Sequence, residues 1–399
     1  MARLGDLFLH IRNGANIKQG LDNTGYPITR IETISNRTVD RNKMGYAGIT
    51  DLEKYSDFVM QDGDILMSHI NSETHLGKTA LYEKEGDEII IHGMNLLSLR
   101  PNKDLITSKY AFYYLSSQSF LRQIPNITKK SVNQASFTVS ALKELVFPLM
   151  SIEKQKKITV DLDKVNDLIS LRKQQLSKLD ELVKSRFIEL FGDPVDNPQN
   201  YLVKSLQELI DMGYITYHLD GNHGGDYPRS EEFVDSGVPY IGANSIVNGE
   251  IDFSMAKFLT VERAGKLRKG IAQNNDVLFA HNATVGPTVV LKTTEPKVIL
   301  STSLTAYRCN QSELLPNYLK AYMQSDGFVR QYSGEMKQTT RNQVPITAQK
   351  KYLFLVPPIV EQEQFATFVE QTDKSKFEIQ KSLEKLETLK KALMQKYFG

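Results

Sequence analysis

A chain that repeats itself over half its length is constrained to fold as two copies of one plan. Leu176-x-Lys178-Leu179-x-x-Leu182-x-Lys184 recurs 207 residues later as Leu383-x-Lys385-Leu386-x-x-Leu389-x-Lys391. Each copy closes on the same dipeptide, Phe191-Gly192 and Phe398-Gly399. Upstream, Asn133-Gln134 and a strand-like segment ending at Pro148 answer Asn342-Gln343 and a segment ending at Pro357. Further back, Asp64-Ile-Leu-Met-Ser-His69 answers Asp276-Val-Leu-Phe-Ala-His281. A period of about 200 residues is far beyond the roughly 20–50 of solenoid repeats, so the pattern describes a duplicated domain pair with two-fold logic. Such a pair suits a target with two similar halves.

The 399 residues leave room for two or three domains, each with its own core. A content of 40% hydrophobic and 24% charged residues is an ordinary globular balance rather than a disordered one. The single cysteine, Cys309, excludes a disulfide framework and a cysteine-based zinc site, and fits a reducing cytoplasm. No apolar signal-peptide core opens the chain and no apolar run is long enough to span a bilayer, so no membrane contact is expected. The net charge of +2 is uninformative, but its distribution is not. Lys257, Arg263, Lys266, Arg268 and Lys269 face only Glu262 in one basic run, and Lys129, Lys130, Lys154, Lys156 and Lys157 cluster in the first half. Local basic patches on a neutral protein suit a surface that needs a limited number of phosphate contacts; solvated helix faces would look the same.

Four segments divide the chain. Residues 1–150 carry short β-rich runs at Tyr26–Ile31, Asp64–Met67, Glu88–Ile91 and Leu96–Leu99, then a helical stretch from Ser108 to Phe120. The short connections predict a mixed α+β globule with mostly antiparallel strands. Residues 151–192 predict one long helix. Leu162, Val165, Ile169, Arg172, Leu176, Leu179, Val183, Arg186 and Leu190 alternate at spacings of three and four, and seven of the nine are apolar. That is a heptad seam, which ends at Gly192-Asp-Pro194 and an Asn/Pro-rich linker. Residues 193–357 repeat the globule, with strands expected at Val238–Ile241, Val277–Phe279, Val289–Leu291 and Tyr352–Val356. Residues 358–399 repeat the helix, and Val369, Thr372, Lys376, Ile379, Leu383, Leu386, Lys390, Leu393 and Tyr397 continue the register with six apolar positions of nine. The economical arrangement is two globules separated by two antiparallel helices in a coiled coil, with the helices acting as a spacer.

Catalytic signatures are missing. Gly77-Lys78-Thr79 resembles the end of a P-loop, but Ser72 stands where that motif needs glycine. The only Pro-Pro pair, Pro357-Pro358, lacks the polar and aromatic flanks of an amino-methyltransferase box. Seven histidines show no metal-ligand spacing, and no nucleophile elbow supports a Ser-His-Asp site. The chain reads as a binder. Polar and basic residues in its loops are the candidates for phosphate and base-edge contact. In the first half these are Arg30, Arg37, Lys43, His69, Asn71, Lys78, Lys129, Lys130 and Asn133. In the second they are Tyr217, His218, Asn222, His223, Tyr227, Arg229, Asn244, His281, Asn282, Lys337, Thr339, Arg341 and Asn342. Tyr214 to Tyr227 is expected to be one long Gly-rich loop suited to groove reading; a plain surface loop would have the same composition. His69 and His281 are equally compatible with a half-buried or turn-capping role.

Two globules alternating with two long helices, paired helix motifs, and a Pro-bearing strand before a Glu/Gln-rich helix start (Pro148 to Gln155, Pro357 to Gln364) resemble the specificity subunit of type I restriction–modification systems. The resemblance covers the whole length. It implies that each globule is a target recognition domain reading one half of a split sequence in double-stranded DNA. It also implies that the helices dock two methyltransferase subunits, which carry S-adenosylmethionine and methylate adenine, while an ATP-driven motor subunit adds restriction. No cofactor and no catalysis are then expected in this chain, and its place is the cytoplasm. From another class, a non-catalytic coiled-coil adaptor with two protein-binding globules fits the same repeat. A free-standing DNA enzyme would need an active site without a recognisable motif.

Overall fold

The computed structural model describes residues 1–17, 20, 24–34, 37–131, 134–193, 196–336 and 342–399. Two compact units divide it: residues 1–173 with 381–399, and residues 174–380. The division therefore falls within the long helices, so each unit holds one globule together with half of each helix.

In the first unit an antiparallel sheet forms from β1 (Phe8–Asn13), β2 (Ile65–Ser68), β3 (Thr79–Leu81) and β4 (Leu96–Pro101), in the order β1-β4-β2-β3. Every residue of β2 is buried, which is why that run is apolar throughout rather than alternating. One face carries Ile65, Met67, Leu97 and Leu99 into a core completed by Tyr110, Tyr114, Phe120, Phe147 and Phe398. The helix expected from Ser108 to Phe120 is broken. Helix α1 (Ser108–Leu115) ends at Ser116, and the Ser117 hydroxyl accepts from Phe120 N at 3.2 Å to start a new turn. Two further expected strands are reduced. Only Pro27–Ile28 of the first is extended, and the 88–91 run contributes bridges at Ile91, parallel to Ile28 and antiparallel to Val59.

The second unit repeats the sheet with β5 (Ile215–Asp220), β6 (Val277–Ala280), β7 (Thr288–Val290) and β8 (Leu304–Cys309), in the order β5-β8-β6-β7. A second, five-stranded sheet contains the parallel pair Tyr240↔Ile299, while its other pairs are antiparallel, in keeping with a mostly antiparallel expectation. It is a fuller version of the Ile28↔Ile91 bridge. Within this unit the chain also forms helices α2 (Val261–Lys266) and α3 (Pro316–Met323). The expected loop from Tyr214 is corrected, because its first half is β5, paired along its length with β8.

The repeat is legible at atomic detail. Asp64 grips Arg100 through two 2.8 Å bonds, and Asp276 grips Arg308 in the same way. The residue before each aspartate has left-handed backbone, Gly63 at φ 91° and Asn275 at φ 71°. Asparagine tolerates that conformation best among residues with a Cβ, which explains how it replaces glycine there.

The central helix runs Ile152–Phe191 and the C-terminal helix Ile359–Phe398, 40 residues each. Their first turns are tied to the globules by equivalent glutamines. Gln155 accepts from Thr107 N and donates to the Leu105 and Met150 carbonyls; Gln362 accepts from Leu315 N and donates to the Glu313 and Pro357 carbonyls. Both helices are covered along the heptad positions. Leu162, Val165, Val369, Thr372 and Leu383 are buried, and Ile169, Arg172, Leu176, Leu179, Val183, Arg186, Leu190, Lys376, Ile379, Leu386, Lys390, Leu393 and Tyr397 are half-buried. The helices run antiparallel in each unit. In the first, Tyr397 bonds Asp161 and Lys173 approaches Glu387; in the second, Lys376 pairs with Asp180 and Arg186 lies over Phe368. Gly192, at φ 75°, ends the central helix in left-handed backbone.

Candidate nucleic-acid interface

In the second unit two polar loops, separated by some forty residues of sequence, are joined edge to edge. Their meeting point is Gly221 and Gly270, where a Cβ on Gly270 would lie 2.7 Å from the Gly221 Cα. No side chain fits between them. Asn222, 3% exposed, completes the join: its Nδ2 donates to the Lys269 carbonyl at 2.6 Å and its Oδ1 accepts from Lys269 N at 3.3 Å. Farther along, Arg263 on α2 donates to the Asp226 carbonyl and to Glu232. Glu232 also accepts from Arg229 N, and these donors hold its carboxyl below the usual range, the Arg229 amide first and Arg263 next. The outward side of this assembly presents His223, Tyr227, Arg229, Arg268 and Lys269, all exposed. An aromatic ring among cations suits phosphate and base contact better than a solvated helix face would.

Several expected contacts lie inside instead. Tyr217 accepts from Ile271 N at 3.0 Å while Arg308 covers its ring. His218 and His281 are buried in a network that joins β5, β6, β8 and the Ile346–Gln349 turn. Gln349 Oε1 accepts from Tyr307 and faces His218 Nε2 at 3.1 Å, so His218 carries its proton on Nε2. Gln349 Nε2 donates to the Thr305 hydroxyl, which also hydrogen-bonds His281 Nδ1 at 2.8 Å. Burial pushes His218 down to about 4 and lowers His281 as well. Both are therefore neutral ring partners within the fold, not phosphate contacts, and buried Asn222 is likewise a loop tie. Asn244 and Asn342 are exposed and Asn282 is half-buried; the Asn342 carbonyl accepts from Ala283 N. Lys337, Thr339 and Arg341 lie outside the described residues, as does Asn133 of the first unit.

The first unit brings its candidates together in two places. Strand Ile70–Asn71 pairs with Ala135–Ser136, which pairs with Lys129–Lys130, so Asn71 and both exposed lysines share one small sheet. Lys130 also reaches Glu73 at 2.8 Å. Nearby in sequence, Thr33 links two other candidates: its hydroxyl accepts from Arg30 N and donates to the Lys43 carbonyl. Arg37 is exposed, has left-handed backbone at φ 61°, and donates to the Ser116 carbonyl. Lys78 is half-buried. His69 is 6% exposed and pushed down to about 4 by burial, so direct phosphate contact by its side chain is withdrawn, as for His281.

Sequence reasoning placed Arg268 and Lys269 only within a basic run; the Asn222–Lys269 and Arg263–Asp226 bonds that join this run to the segment of Tyr227 and Arg229 are tertiary facts. Among the described residues no group of three or more His, Cys, Asp and Glu could hold a metal ion, and no helix is long and apolar enough to cross a membrane. Cys309 is buried, with its thiol pushed up by burial.

Duplicated α+β units with polar, cation-bearing loops, each built onto half of a pair of long helices, define a protein of two repeated domains. The chain belongs to the type I restriction modification DNA specificity domain family, whose pattern matches twice, over residues 1–181 and 199–391. It is 34% identical over 291 residues to the MjaX specificity subunit assigned to a type I restriction enzyme of Methanocaldococcus jannaschii. That alignment covers 71% of this chain and 66% of the relative, just under two thirds of its length. The fold is shared with the S subunit of a type I restriction–modification system from M. genitalium, at TM-score 0.57 and 15% identity over 100% of this chain and 95% of the other. A chain from a type I R-M system studied for its assembly and conformational transition gives TM-score 0.55 at 17% identity, over 100% and 96%.

Proposed function

We propose that this chain is the DNA sequence-recognition subunit of a type I restriction–modification complex. Each unit reads one half of a bipartite target in double-stranded DNA. The paired helices dock two methyltransferase subunits that methylate adenine, and a motor subunit adds restriction. S-adenosylmethionine and ATP are held by those partners, and this chain acts without catalysing a step, in the cytoplasm. The observation that carries this reading is the double family match, one copy for each set of sheets. The clamped surface of Tyr227, Arg229, Arg268 and Lys269 supports it physically, because it offers phosphate donors beside a stacking ring.

Methylation mapping of the host genome, with and without the gene, tests it. A split adenine-methylated motif that disappears on deletion is the expected result. The purified complex should then shift a duplex bearing that motif, with affinity falling steeply as salt rises. An unchanged methylome, with no salt-dependent shift, would favour the protein-binding adaptor.

A further inference from the structure

We infer that Arg263 is a positioning residue for the recognition surface of the second unit, holding the loop of Tyr227 and Arg229 in register with Arg268 and Lys269. This rests on the reading of that surface as a DNA contact. Arg263 is poorly placed to touch DNA itself, since its side chain is only 17% exposed. Its guanidinium is already used: Nε meets Glu232 Oε1 at 2.5 Å, and Nη2 reaches Glu232 Oε2 at 3.4 Å and the Asp226 carbonyl at 3.1 Å. Glu232 Oε2 accepts from Arg229 N at 2.7 Å, so one carboxylate ties the Arg263 fork to the backbone of a surface cation. The Asp226 carbonyl precedes Tyr227 directly. Arg263 thus fixes both sides of the segment that bears the ring and the cation.

Elsewhere the loop is tied at His223, whose Nε2 meets Asp220 Oδ2 at 2.7 Å, and at buried Pro228, next to Tyr227, which interacts with Tyr240. Positions 224 and 225 are glycines with no neighbour within 4 Å of an added Cβ, so no packing defines the backbone there. Only short turns at Gly224–Asp226 and Ser230–Glu232 interrupt the irregular chain. The Asn222–Lys269 and His223–Asp220 ties hold one end, and at the other Arg263 alone bonds both the Asp226 carbonyl and the carboxylate that accepts from Arg229 N. A planar fork makes three directed bonds that a lysine ammonium on a flexible stem does not reproduce. Charge at position 263 is therefore insufficient; geometry is what matters.

The test uses the full chain in its complex and a duplex carrying both mapped half-sites, with two derivatives in which one half is scrambled. R263K and R263Q should each lose about tenfold in affinity, and discrimination should collapse at one half-site only. Their salt slope should match wild type, because no phosphate contact is removed. The double variant R268Q/K269Q should instead flatten the slope by about 2, as two lost phosphate contacts require. Wild-type discrimination in both Arg263 variants overturns the inference, as does equal loss at both halves. Should those variants fail to fold, E232Q is read in the same assay and must show the same one-sided loss. If R268Q/K269Q also binds with wild-type affinity and slope, the DNA reading of this face fails and the positioning role goes with it. If that double variant binds weakly while Arg263 variants discriminate normally, only the positioning role fails.

Discussion

Asp64 and Asp276 are each 1% exposed and each bind an arginine bidentately, and Arg308 also lies over the ring of half-buried Tyr217. Arg100 and Arg308 also donate to backbone carbonyls, of Val59 and Ile271, at 3.2 Å. The pairs tie the sheet to the segment that crosses it. Asp276→Ala leaves a guanidinium unpaired, and with Arg308 still 26% accessible the expected loss is about 2–4 kcal/mol of stability. Urea unfolding checks this, and a change within experimental error would show the pair to be dispensable. Histidines give a second residue-scale expectation. In the first unit burial pushes His10 and His69 down to about 4 and His92 to about 3; in the second it pushes His218 to about 4. Unfolding returns each to its ordinary value near 6.5, where it binds a proton that the folded ring refuses. Stability is therefore fully present above pH 6.5 and falls as pH drops toward 4, through the folded values. A urea midpoint that stays level between about pH 7 and about pH 4.5 would contradict this. His69→Phe, which keeps the ring but does not titrate, should flatten the descent.

At the scale of elements, the long helices have a weak polar seam rather than a uniformly apolar one. Lys376 sits at a heptad position yet pairs with Asp180, and Lys390 is half-buried with its pKa lowered by burial and by Arg37. Polar groups at such positions specify register at some expense of stability. Each helix is unbroken for 40 residues, about 60 Å at 1.5 Å per residue. One heptad inserted into each, after Lys173 and after Gln380, preserves the seam and adds about 10 Å. At about 3.4 Å per base pair, the best-binding spacer between half-sites should lengthen by about three base pairs. Binding across a spacer series checks it. An optimum that stays put would mean the helices are not the ruler.

At the scale of the whole molecule, duplication of the sheet order is accompanied by divergence in what the sheets carry. The first unit has Arg30 and Lys43 around Thr33, and the second has Asn244 and a hairpin in the equivalent region. Shared scaffold with different loops is the arrangement expected of two independent reading heads. Replacing residues 201–350 with the equivalent span of a homologue should change one half of the methylated motif and leave the other intact. Changes in both halves would mean that the units read jointly.

Periodic and local features were legible in the residues alone. The two helices, Ile152–Phe191 and Ile359–Phe398, fill the segments expected at 151–192 and 358–399, and the strands at Val238, Val277 and Leu96 start where their apolar runs do. Repetition itself announced two copies of one sheet, because equivalent residues must meet equivalent neighbours. What the chain could not declare locally was burial of polar groups. His69, His218, His281 and Asn222 have the composition of contact residues, but their partners (Gln349, Thr305 and Lys269 among them) lie tens of residues away. The break after Leu115 depended on whether Ser117 would cap a new turn or continue the old one, a choice made by the packing of Phe120. The face proposed for recognition in the second unit is likewise a tertiary product. Its two loops become one face only because Gly221 and Gly270 allow two backbones to touch, and because Arg263 reaches across to hold what lies beyond them. Local propensity shaped the elements; long-range hydrogen bonds decided which side chains meet water.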